Sequence, residues 1–326
     1  MNTRQLGTDG PHLTEIGLGA WAIGGPWAFG WGEQDDAESI RTIHAALEGG
    51  INWIDTAAVY GLGHGETVVG EAIRGRRKDV FVATKCGLVW DADGQARNNN
   101  RPESIRRECE ASLKRLGIDH IDLYQIHWPD GNVPVEESWG EMSRLQEEGK
   151  VRYIGVSNFD RDLLARCEPI RHVNSLQPPY SLVNRDYENE VFPWCRENGV
   201  GIVAYSPIMS GLLTEKFTKD HFNGLPADDW RKRSNHFAFR EPVFSAARRL
   251  VEGMKPIAAK YDRTVSDLAI AWVRQQPGVT SAIVGARTVA QATRNLAAAD
   301  WTIEKGDLEA IEALYQETIA PAREGR

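Results

Sequence analysis

The sequence predicts an α/β protein whose parallel strands close into a (β/α)8 barrel, the TIM-barrel fold. Eight short runs rich in Val and Ile are separated by amphipathic helical stretches, the alternation expected of such a barrel. The runs are apolar without strict alternation, as expected for parallel strands buried on both faces. The alternative is an open doubly wound sheet. Its glycine-rich fingerprint is missing, because Gly17-x-Gly19 is followed by Ala20-Trp21 and no third glycine has the required spacing.

Each predicted strand is a short apolar run. In chain order the eight are IGLG (16–19), INWID (51–55), VFVATK (80–85), IDLYQIH (121–127), VRYIGVS (151–157), SLQ (175–177), GIVAYS (201–206) and SAIVG (281–285).

The helices between the strands are predicted from apolar residues at helical spacing and from glycine stop signals. A further helix is predicted to begin at Thr264, which forms a capping-box-like pair with Asp267. Four helices end just before glycines, and they cover residues 36–47, 102–116, 134–148 and 188–198.

The remaining segments complete a single predicted domain, residues 1–326. Residues 1–14 are expected to form a hairpin that turns at Asp9-Gly10 and closes the barrel floor. Residues 20–35 and 207–240 are longer than ordinary loops, and loops of this length usually carry function.

Composition excludes several classes of protein. The 326 residues include 38 Lys+Arg and 46 Asp+Glu, so the net charge of −8 argues against a nucleic-acid partner. No run approaches the roughly 18 apolar residues of a membrane span, and the N-terminus lacks a signal-peptide pattern. Four scattered cysteines show no metal-ligand spacing, so we expect a cytoplasmic protein with no metal site and no membrane partner. The charge is compatible with either a monomer or an oligomer.

Four side chains are candidates for catalysis. Asp55, Lys85 and His127 end three consecutive predicted strands, and Tyr60 follows Asp55 by five residues. Because catalytic groups of such barrels lie at the carboxyl ends of strands, we expect the four to converge at the mouth. Three have a structural alternative: Asp55 could cap a turn, Tyr60 could be a core residue with a satisfied hydroxyl, and His127 could be a satisfied buried imidazole. Lys85 is the hardest to dismiss, because a lysine that ends a buried apolar strand must find a partner.

Together these groups could move a proton. A phenol with a pKa of about 10 is a poor acid at neutral pH, and a neighbouring ammonium is expected to lower that pKa. Asp55 would hold Lys85 in place, and His127 could donate to a carbonyl oxygen. This is suitable machinery for protonating a carbonyl as hydride arrives, which implies an organic redox cofactor.

The sequence resembles the aldo-keto reductase superfamily over nearly its whole length, with the nearest likeness to bacterial members of the inositol-utilisation and general-stress type. The resemblance implies a barrel that binds NAD(P)H without a Rossmann fold, with Tyr60 as general acid/base, Lys85 and Asp55 tuning it, and His127 orienting the carbonyl. The matching segments are GLGAW (17–21), DTAAVYG (55–61), ATK (83–85), DLYQIHWPD (122–130), IGVSNF (154–159), AYSPIMSGLLTEK (204–216) and VGARTVAQATRN (284–295).

The resemblance also implies the cofactor residues. Ser157, Asn158 and Gln177 match an amide clamp for nicotinamide, and Tyr205 matches the ring that stacks on it. Ala20 and Trp21 match the backbone and ring beside the nicotinamide ribose, although many relatives have Thr in place of Ala20. The pyrophosphate loop is matched by Ser206, Pro207, Gly211, Leu213 and Lys216. The adenosine end is matched by Gly285, Arg287, Gln291, Arg294 and Asn295.

Two arginines favour NADPH/NADP+ over NADH. Arg287 could pair with a 2′-phosphate, and Arg294 stands where relatives usually have Asp or Glu, which adds positive charge. Structural alternatives accompany these assignments: Thr288-x-x-Gln291 fits a helix capping box, Ser157-Asn158 a turn into the next helix, and Lys216 a solvated surface lysine.

The predicted substrate is a small carbonyl compound or its alcohol, including a sugar or polyol. Five tryptophans in or beside the loops at the catalytic end could line its pocket with flat apolar faces: Trp21, Trp27, Trp31, Trp90 and Trp128. An alternative function is a nucleotide-sensing regulatory protein on the same barrel, like the potassium-channel β subunits. A third is an isomerase or aldolase that uses Lys85 as a Schiff base.

Overall fold

Eight parallel strands close into a barrel in the computed structural model, which describes residues 1–227 and 229–324. The order around the barrel is β3-β4-β5-β8-β9-β10-β11-β12, and all eight predicted strands are present, which confirms the predicted fold class. The strands in chain order are β1 (Thr3–Gln5), β2 (His12–Thr14), β3 (Ile16–Gly19), β4 (Trp53–Asp55), β5 (Phe81–Cys86), β6 (Leu88–Trp90), β7 (Ala96–Asn98), β8 (Ile121–Ile126), β9 (Val151–Ser157), β10 (Ser175–Gln177), β11 (Gly201–Tyr205) and β12 (Val279–Gly285).

Helices surround the barrel, and the longer ones contribute buried apolar residues to its core. They are α1 (Asp36–Glu48), α2 (His64–Ala72), α3 (Pro102–Leu116), α4 (Val135–Glu147), α5 (Arg161–Cys167), α6 (Val191–Glu197), α7 (Lys219–Gly224), α8 (Trp230–Arg233), α9 (Val243–Lys260), α10 (Val265–Arg274), α11 (Val289–Leu296) and α12 (Lys305–Glu324).

Local signals account for several helix boundaries. Helix α3 coincides with its prediction, because Pro102 opens it and Gly117 ends it at φ +63°. The Thr264–Asp267 capping box forms at the start of α10, as predicted. Helix α6 is shorter than predicted because turns replace its first residues, where Glu188 accepts a hydrogen bond from Arg185.

The N-terminal hairpin closes the barrel floor, as predicted. Strands β1 and β2 pair antiparallel, and the turn is held by a hydrogen bond from Gly10 N to Leu6 O. Leu6 and Leu13 are fully buried and pack in one cluster with Trp53 and Leu123 from the barrel interior. The hairpin therefore excludes water from the end of the barrel opposite the candidate site.

The described residues of the two long segments, 20–35 and 207–240, lie against each other, and together we call them the rim. The rings of Trp21 and Trp230 lie 5.3 Å apart, and Arg233 donates to the carbonyl of Ala28. A short hairpin of β6 and β7, which the sequence analysis did not predict, follows β5. The rim is thus packed rather than extended into solvent.

The described part of the chain contains no helix that is long and apolar enough to cross a membrane. Its four cysteines are buried with free thiols, in agreement with their interpretation as small core residues. The same residues include no His/Cys/Asp/Glu group able to hold a metal ion.

Candidate active site

The strand ends bring the four candidate catalytic side chains together. Asp55 is the last residue of β4, Lys85 lies near the end of β5, and His127 directly follows β8. These strands are neighbours, with Asp55 opposite Ala83 and Lys85 opposite Gln125. Barrel register therefore determines which side chains meet.

Tyr60 is placed by a turn rather than by a strand. It begins the 3-10 segment Tyr60–Gly63, where Gly61 has φ +60°. A Cβ atom on Gly61 would lie 1.9 Å from the carbonyl oxygen of Gly24, so this close backbone approach requires glycine. The contact holds the turn, and with it the phenol, against the first long loop.

Lys85 is the centre of the constellation. Its Nζ lies 2.9 and 2.8 Å from the two carboxylate oxygens of Asp55 and 2.9 Å from the carbonyl oxygen of Thr56. It also lies 3.3 Å from Tyr60 Oη. Both members of the ion pair are buried, Lys85 at 1% and Asp55 at 3% exposure. Burial lowers the pKa of Lys85, and Asp55 opposes that shift.

Tyr60 and His127 are both neutral near pH 7. Burial, aided by the charge of Asp55, raises the pKa of Tyr60 well above its usual value. This is opposite to the expected lowering by Lys85, because desolvation of the phenolate dominates. Burial and the nearby Lys85 charge hold the pKa of His127 well below its usual value. Their rings lie 5.8 Å apart at 77°, so two neutral hydrogen-bonding groups sit side by side.

The residues predicted to form the amide clamp lie together at the mouth. Tyr205 Oη donates to Asn158 Oδ1 at 2.8 Å, and Asn158 Nδ2 donates to the carbonyl of His127 at 2.9 Å. Ser157 Oγ donates to the carbonyl of Gln177 at 2.8 Å. Asn158 has φ +62°, so its backbone is held in the left-handed region. Ser157 is the last residue of β9 and Asn158 forms a bend after it, so the chain changes direction at Asn158 before α5.

The residues predicted to contact the nicotinamide ribose and the pyrophosphate differ in how deeply they are buried. Ala20 N donates to Asp55 O at 2.8 Å and Ala20 O accepts from Ile23, so its backbone is hydrogen-bonded within the protein. Leu213 is fully buried in the main core, whereas Lys216 is exposed. The segment that leads from β11 to Leu213 turns sharply, because four of its residues have positive φ: Ser206, Met209, Ser210 and Gly211. Pro207 is buried at its start.

Arg287 is engaged by the rim. Its Nε donates to Gln34 Oε1 at 2.8 Å, its Nη1 to Trp31 O at 3.1 Å, and its Nη2 to Glu33 O at 2.5 Å. In this structure the guanidinium therefore holds the first long loop, a role that the sequence analysis did not foresee. Arg294, by contrast, is exposed.

The other adenosine-end residues form a capped helix start. Thr288 Oγ1 accepts from Gln291 N at 3.3 Å, so Thr288 caps α11, but the predicted capping box is only half formed because Gln291 Oε1 bonds to Arg287 N and not to Thr288 N. Gln291 Oε1 accepts from Arg287 N at 2.8 Å, and Asn295 Nδ2 donates to Gly285 O at 3.1 Å. These side chains therefore already stabilise the loop between β12 and α11.

Three of the five pocket tryptophans pack around Tyr60. Trp21, Trp27 and Trp90 join Tyr60 in one apolar cluster, and the ring of Trp27 lies 6.1 Å from that of Tyr60. Trp31 instead packs between Trp21 and the guanidinium of Arg231. Trp128 is 43% exposed beside His127, at the outer edge of the mouth.

The mouth has features suited to a dinucleotide with a carboxamide end. Gly19 and Gly285 lie opposite each other at the ends of β3 and β12. A Cβ atom on Gly285 would meet nothing closer than 3.8 Å, so bare backbone faces open space there. The side-chain amides of Asn158 and Gln177 lie on the other side of the mouth, after β9 and at the end of β10. Polar amides and uncovered backbone are what such a ligand requires.

A family model for aldo/keto reductases matches residues 15–316 of this chain. The chain belongs to the aldo-keto reductase family. It is 38% identical over 324 residues to the aldo-keto reductase YhdN of Bacillus subtilis, covering 98% of this chain and 95% of that protein. It is also 38% identical over 327 residues to the NADH-specific methylglyoxal reductase of Escherichia coli, covering 94% and 98%.

A solved structure supports the same assignment. The glycerol dehydrogenase of Gluconobacter oxydans superposes with a TM-score of 0.88 at 36% identity, covering 98% of this chain and 96% of that one. The resemblance inferred from the sequence motifs is therefore confirmed. This aldo-keto reductase is a member of an oxidoreductase family that uses nicotinamide cofactors, and one relative is named as NADH-specific.

Several functional contacts were not anticipated from sequence. The Thr56 carbonyl accepts from Lys85, and Gln177 Nε2 donates to Asp55 Oδ1 at 2.8 Å. Arg231 is buried, forms a two-point contact with Asp229 and donates to Ser210 O. The contact between Lys85 and the Thr56 carbonyl could have been predicted, since Thr56 directly follows Asp55, the expected partner of Lys85. The bonds from Gln177 to Asp55 and from Arg231 to Ser210 join residues that are distant in the chain and have no such sequence signal, whereas Arg231 and Asp229 lie two residues apart.

Proposed function

We propose that this aldo-keto reductase is an NADP(H)-dependent oxidoreductase that interconverts an aldehyde or ketone and its alcohol, with residues 1–326 forming one domain. The observation that carries the proposal is the position of Lys85 Nζ, which contacts both the Asp55 carboxylate and Tyr60 Oη beside a neutral His127. This arrangement supplies a proton and hydrogen-bond donors at one point of the mouth.

Each residue has a separate task in this proposal. A bound nicotinamide would supply or accept the hydride. Tyr60 donates its hydroxyl proton to the carbonyl oxygen during reduction and removes it from the alcohol during oxidation. Lys85 stabilises the phenolate that forms, because its ammonium lies within hydrogen-bond distance of the oxygen. His127, held neutral, can donate one N–H to the same carbonyl oxygen and orient it.

The walls of the mouth support a substrate with a flat apolar or C–H face. Trp21, Trp27 and Trp90 pack with Leu88 around Tyr60, and such rings suit aromatic carbonyls or the C–H face of a sugar or polyol. Relatives named as methylglyoxal reductase and glycerol dehydrogenase support small oxygenated substrates as the first to test.

The preference for NADP(H) rests on two arginines at the adenosine end. Arg287 is half-buried at the start of α11, and Arg294 is exposed on the same helix. A guanidinium suits a 2′-phosphate because it offers paired donors. A guanidinium has five N–H donors, and Arg287 uses three of them to bond to the first long loop. The remaining donors of Arg287 would bond to that phosphate.

Two measurements test the proposal. Fluorescence titration with NADPH and NADH should show NADPH binding tighter by about tenfold or more, and reduction of methylglyoxal should oxidise the bound cofactor. Tyr60→Phe should then lower turnover by about 100-fold or more while the dissociation constant of the cofactor stays within about twofold.

The other outcomes discriminate between functions. Equal binding of the two cofactors would reject the phosphate preference and leave the reductase. Cofactor oxidation that is unchanged in Tyr60→Phe would reject Tyr60 as the proton donor. Binding without turnover of any carbonyl or alcohol by the wild type would favour a nucleotide sensor. A Lys85 adduct trapped by borohydride would indicate Schiff-base chemistry instead.

A further inference from the structure

The side chain of Gln177 joins two parts of the site that the proposed function treats separately. Gln177 ends β10 and is buried at 2% exposure, and its Nε2 donates to Asp55 Oδ1 at 2.8 Å. The same carboxylate oxygen accepts from Lys85 Nζ at 2.9 Å. One amide of the expected nicotinamide clamp is therefore also bonded to the ion pair beside the proton donor.

This contact crosses the mouth of the barrel. Strand β10 is separated from β4 by β11, β12 and β3 on one side, so the side chain, not the sheet, makes the connection. On its backbone side, Gln177 belongs to the clamp, because its carbonyl accepts from Ser157 Oγ at 2.8 Å and from Asn158 N at 3.2 Å. A single residue is thus anchored in the clamp and reaches the carboxylate.

The position of Lys85 depends on that carboxylate. Lys85 Nζ has three hydrogens but four oxygen neighbours, and Tyr60 Oη at 3.3 Å is the most distant of them. A rotation of Asp55 would therefore weaken the contact with Tyr60 first. A charge-assisted bond from a buried amide opposes such rotation, since it fixes one carboxylate oxygen from outside the ion pair.

We infer that Gln177 is a positioning residue for Asp55 and, through Asp55 and Lys85, for the hydroxyl of Tyr60. It thereby links the clamp for a carboxamide ligand to the proton donor. The inference rests on the proposed function, because it concerns the proton step of that reaction.

The sharpest test is Gln177→Glu, assayed for methylglyoxal reduction with saturating NADPH. The replacement has the same shape and keeps an oxygen acceptor for a carboxamide. When ionised, it cannot donate to Asp55 and adds a like charge. When protonated, it recovers one donor, and two carboxyls sharing a site raise the pKa of one of them into the assay range.

We expect kcat of Gln177→Glu to be at least about tenfold below wild type near pH 8, and this ratio to recover as the pH falls toward about 5.5. The dissociation constant for NADPH should differ from wild type by less than about threefold at both values of pH. A deficit that is independent of pH, or no deficit at all, would overturn the inference.

Two further variants keep the test independent of how well Gln177→Glu folds. Gln177→Met lacks a donor at every pH, so its kcat should stay about tenfold low throughout while KM for methylglyoxal changes less than about threefold. Ser175→Ala is the matched control on the same strand, since Ser175 is buried on β10 and donates to Gln125 Oε1, not to Asp55. It should retain kcat and the dissociation constant for NADPH within about threefold.

The outcomes separate the two proposals. A Gln177→Met enzyme with unchanged kcat would reject the positioning role alone. A wild-type protein that binds neither NADPH nor NADH, or that binds them without turnover, would reject the proposed function itself, and the positioning role with it.

Discussion

The strand ends and the rim both face the mouth of the barrel, but different forces hold them. At the strand ends, Lys85 and Asp55 are buried and joined by hydrogen bonds of 2.8 and 2.9 Å on adjacent strands. In the rim, Trp21 meets Trp230 by ring contact, and the guanidinium of Arg231 lies 4.5 Å from the ring centre of Trp31. The first region is fixed by the sheet, and the second by loops packing on one another.

Because of this difference, the strand ends can determine the reaction chemistry while the rim determines which cofactor and substrate bind. Asp55 and Lys85, whose positions are set by strand register, change little unless the barrel itself changes. Loop contacts can be exchanged without disturbing the sheet, so cofactor and substrate preference can vary within a family. The relatives fit this view, since one is named for methylglyoxal and another for glycerol.

The largest expected effect follows from breaking the ion pair at the strand ends. Lys85→Met leaves the Asp55 carboxylate buried with Gln177 as its remaining side-chain donor among the described contacts. We expect a loss of kcat of about 100-fold or more and a decrease in the free energy of unfolding of about 3 kcal/mol. Steady-state kinetics and urea unfolding measure the two effects.

The control for Lys85→Met is the double variant Asp55→Asn/Lys85→Met. Removing both charges should recover most of the lost stability but none of the lost activity. If the single variant were as stable as wild type, the buried pair would not be the force that holds the strand ends.

A smaller effect is expected behind β5, where Glu108 supports the strand end. Glu108 Oε2 accepts from Gly87 N at 2.9 Å, two residues after Lys85, and Oε1 accepts from Ser104 Oγ. Burial raises the pKa of Glu108 to about 7, with Arg115 opposing and Glu66 reinforcing the shift. Because the folded state binds this proton more tightly than the unfolded state, stability falls as pH rises from about 4.5 to 7.

Glu108→Gln removes the free-energy cost of ionising this buried carboxyl, because glutamine has the same shape as glutamate and no charge. We expect the variant to be about 2 kcal/mol more stable than wild type near pH 8 and equal to it near pH 5. Urea unfolding at the two pH values measures the difference. Glu110→Gln on the same helix removes an exposed partner of Lys150 and should show no gain at either pH. A Glu108→Gln gain of the same size at pH 5 would contradict the assigned cause.

The smallest expected effect lies in the rim. Arg231 contacts Asp229 through two nitrogens, donates to Ser210 O and covers Trp31, a set of contacts that lysine cannot reproduce. Arg231→Lys should weaken NADPH binding about fivefold through the loop that holds Ser210, and kcat at saturation should change less than about twofold. Fluorescence titration and steady-state kinetics measure these values.

Arg240→Lys is the matched rim control, because Arg240 is exposed and its side chain donates to Ser234 O at 3.3 Å. It should leave NADPH binding unchanged. A loss of kcat in Arg231→Lys as large as in Lys85→Met would erase the distinction between rim and strand ends.

The local and periodic features of the fold could be predicted from sequence. Apolar runs predict all eight barrel strands because a strand buried on both faces must be apolar throughout. The helix from Pro102 to Leu116 and the cap at Thr264 depend on residues close in the chain. The short hairpin after β5 was missed, since its three-residue strands carry little pattern.

The same limit applies to the site. Asp55, Lys85 and His127 could be grouped because strand ends of a barrel share one face, and Tyr60 because it follows Asp55 closely. Contacts between distant segments could not be predicted, such as the 2.8 Å bond from Gln177 to Asp55. No periodicity or spacing connects residues that lie on strands so far apart in the sequence.

The sequence by itself determined the barrel, its eight strands and the group of side chains at three strand ends. It could do so because the spacing of apolar residues and the order of the strands along the chain can be read directly from the sequence. Only the tertiary structure decided the protonation of Tyr60, which depends on how completely the phenol is desolvated. It also decided the partners of Arg287, whose long side chain reaches the first loop once both loops have packed at the mouth.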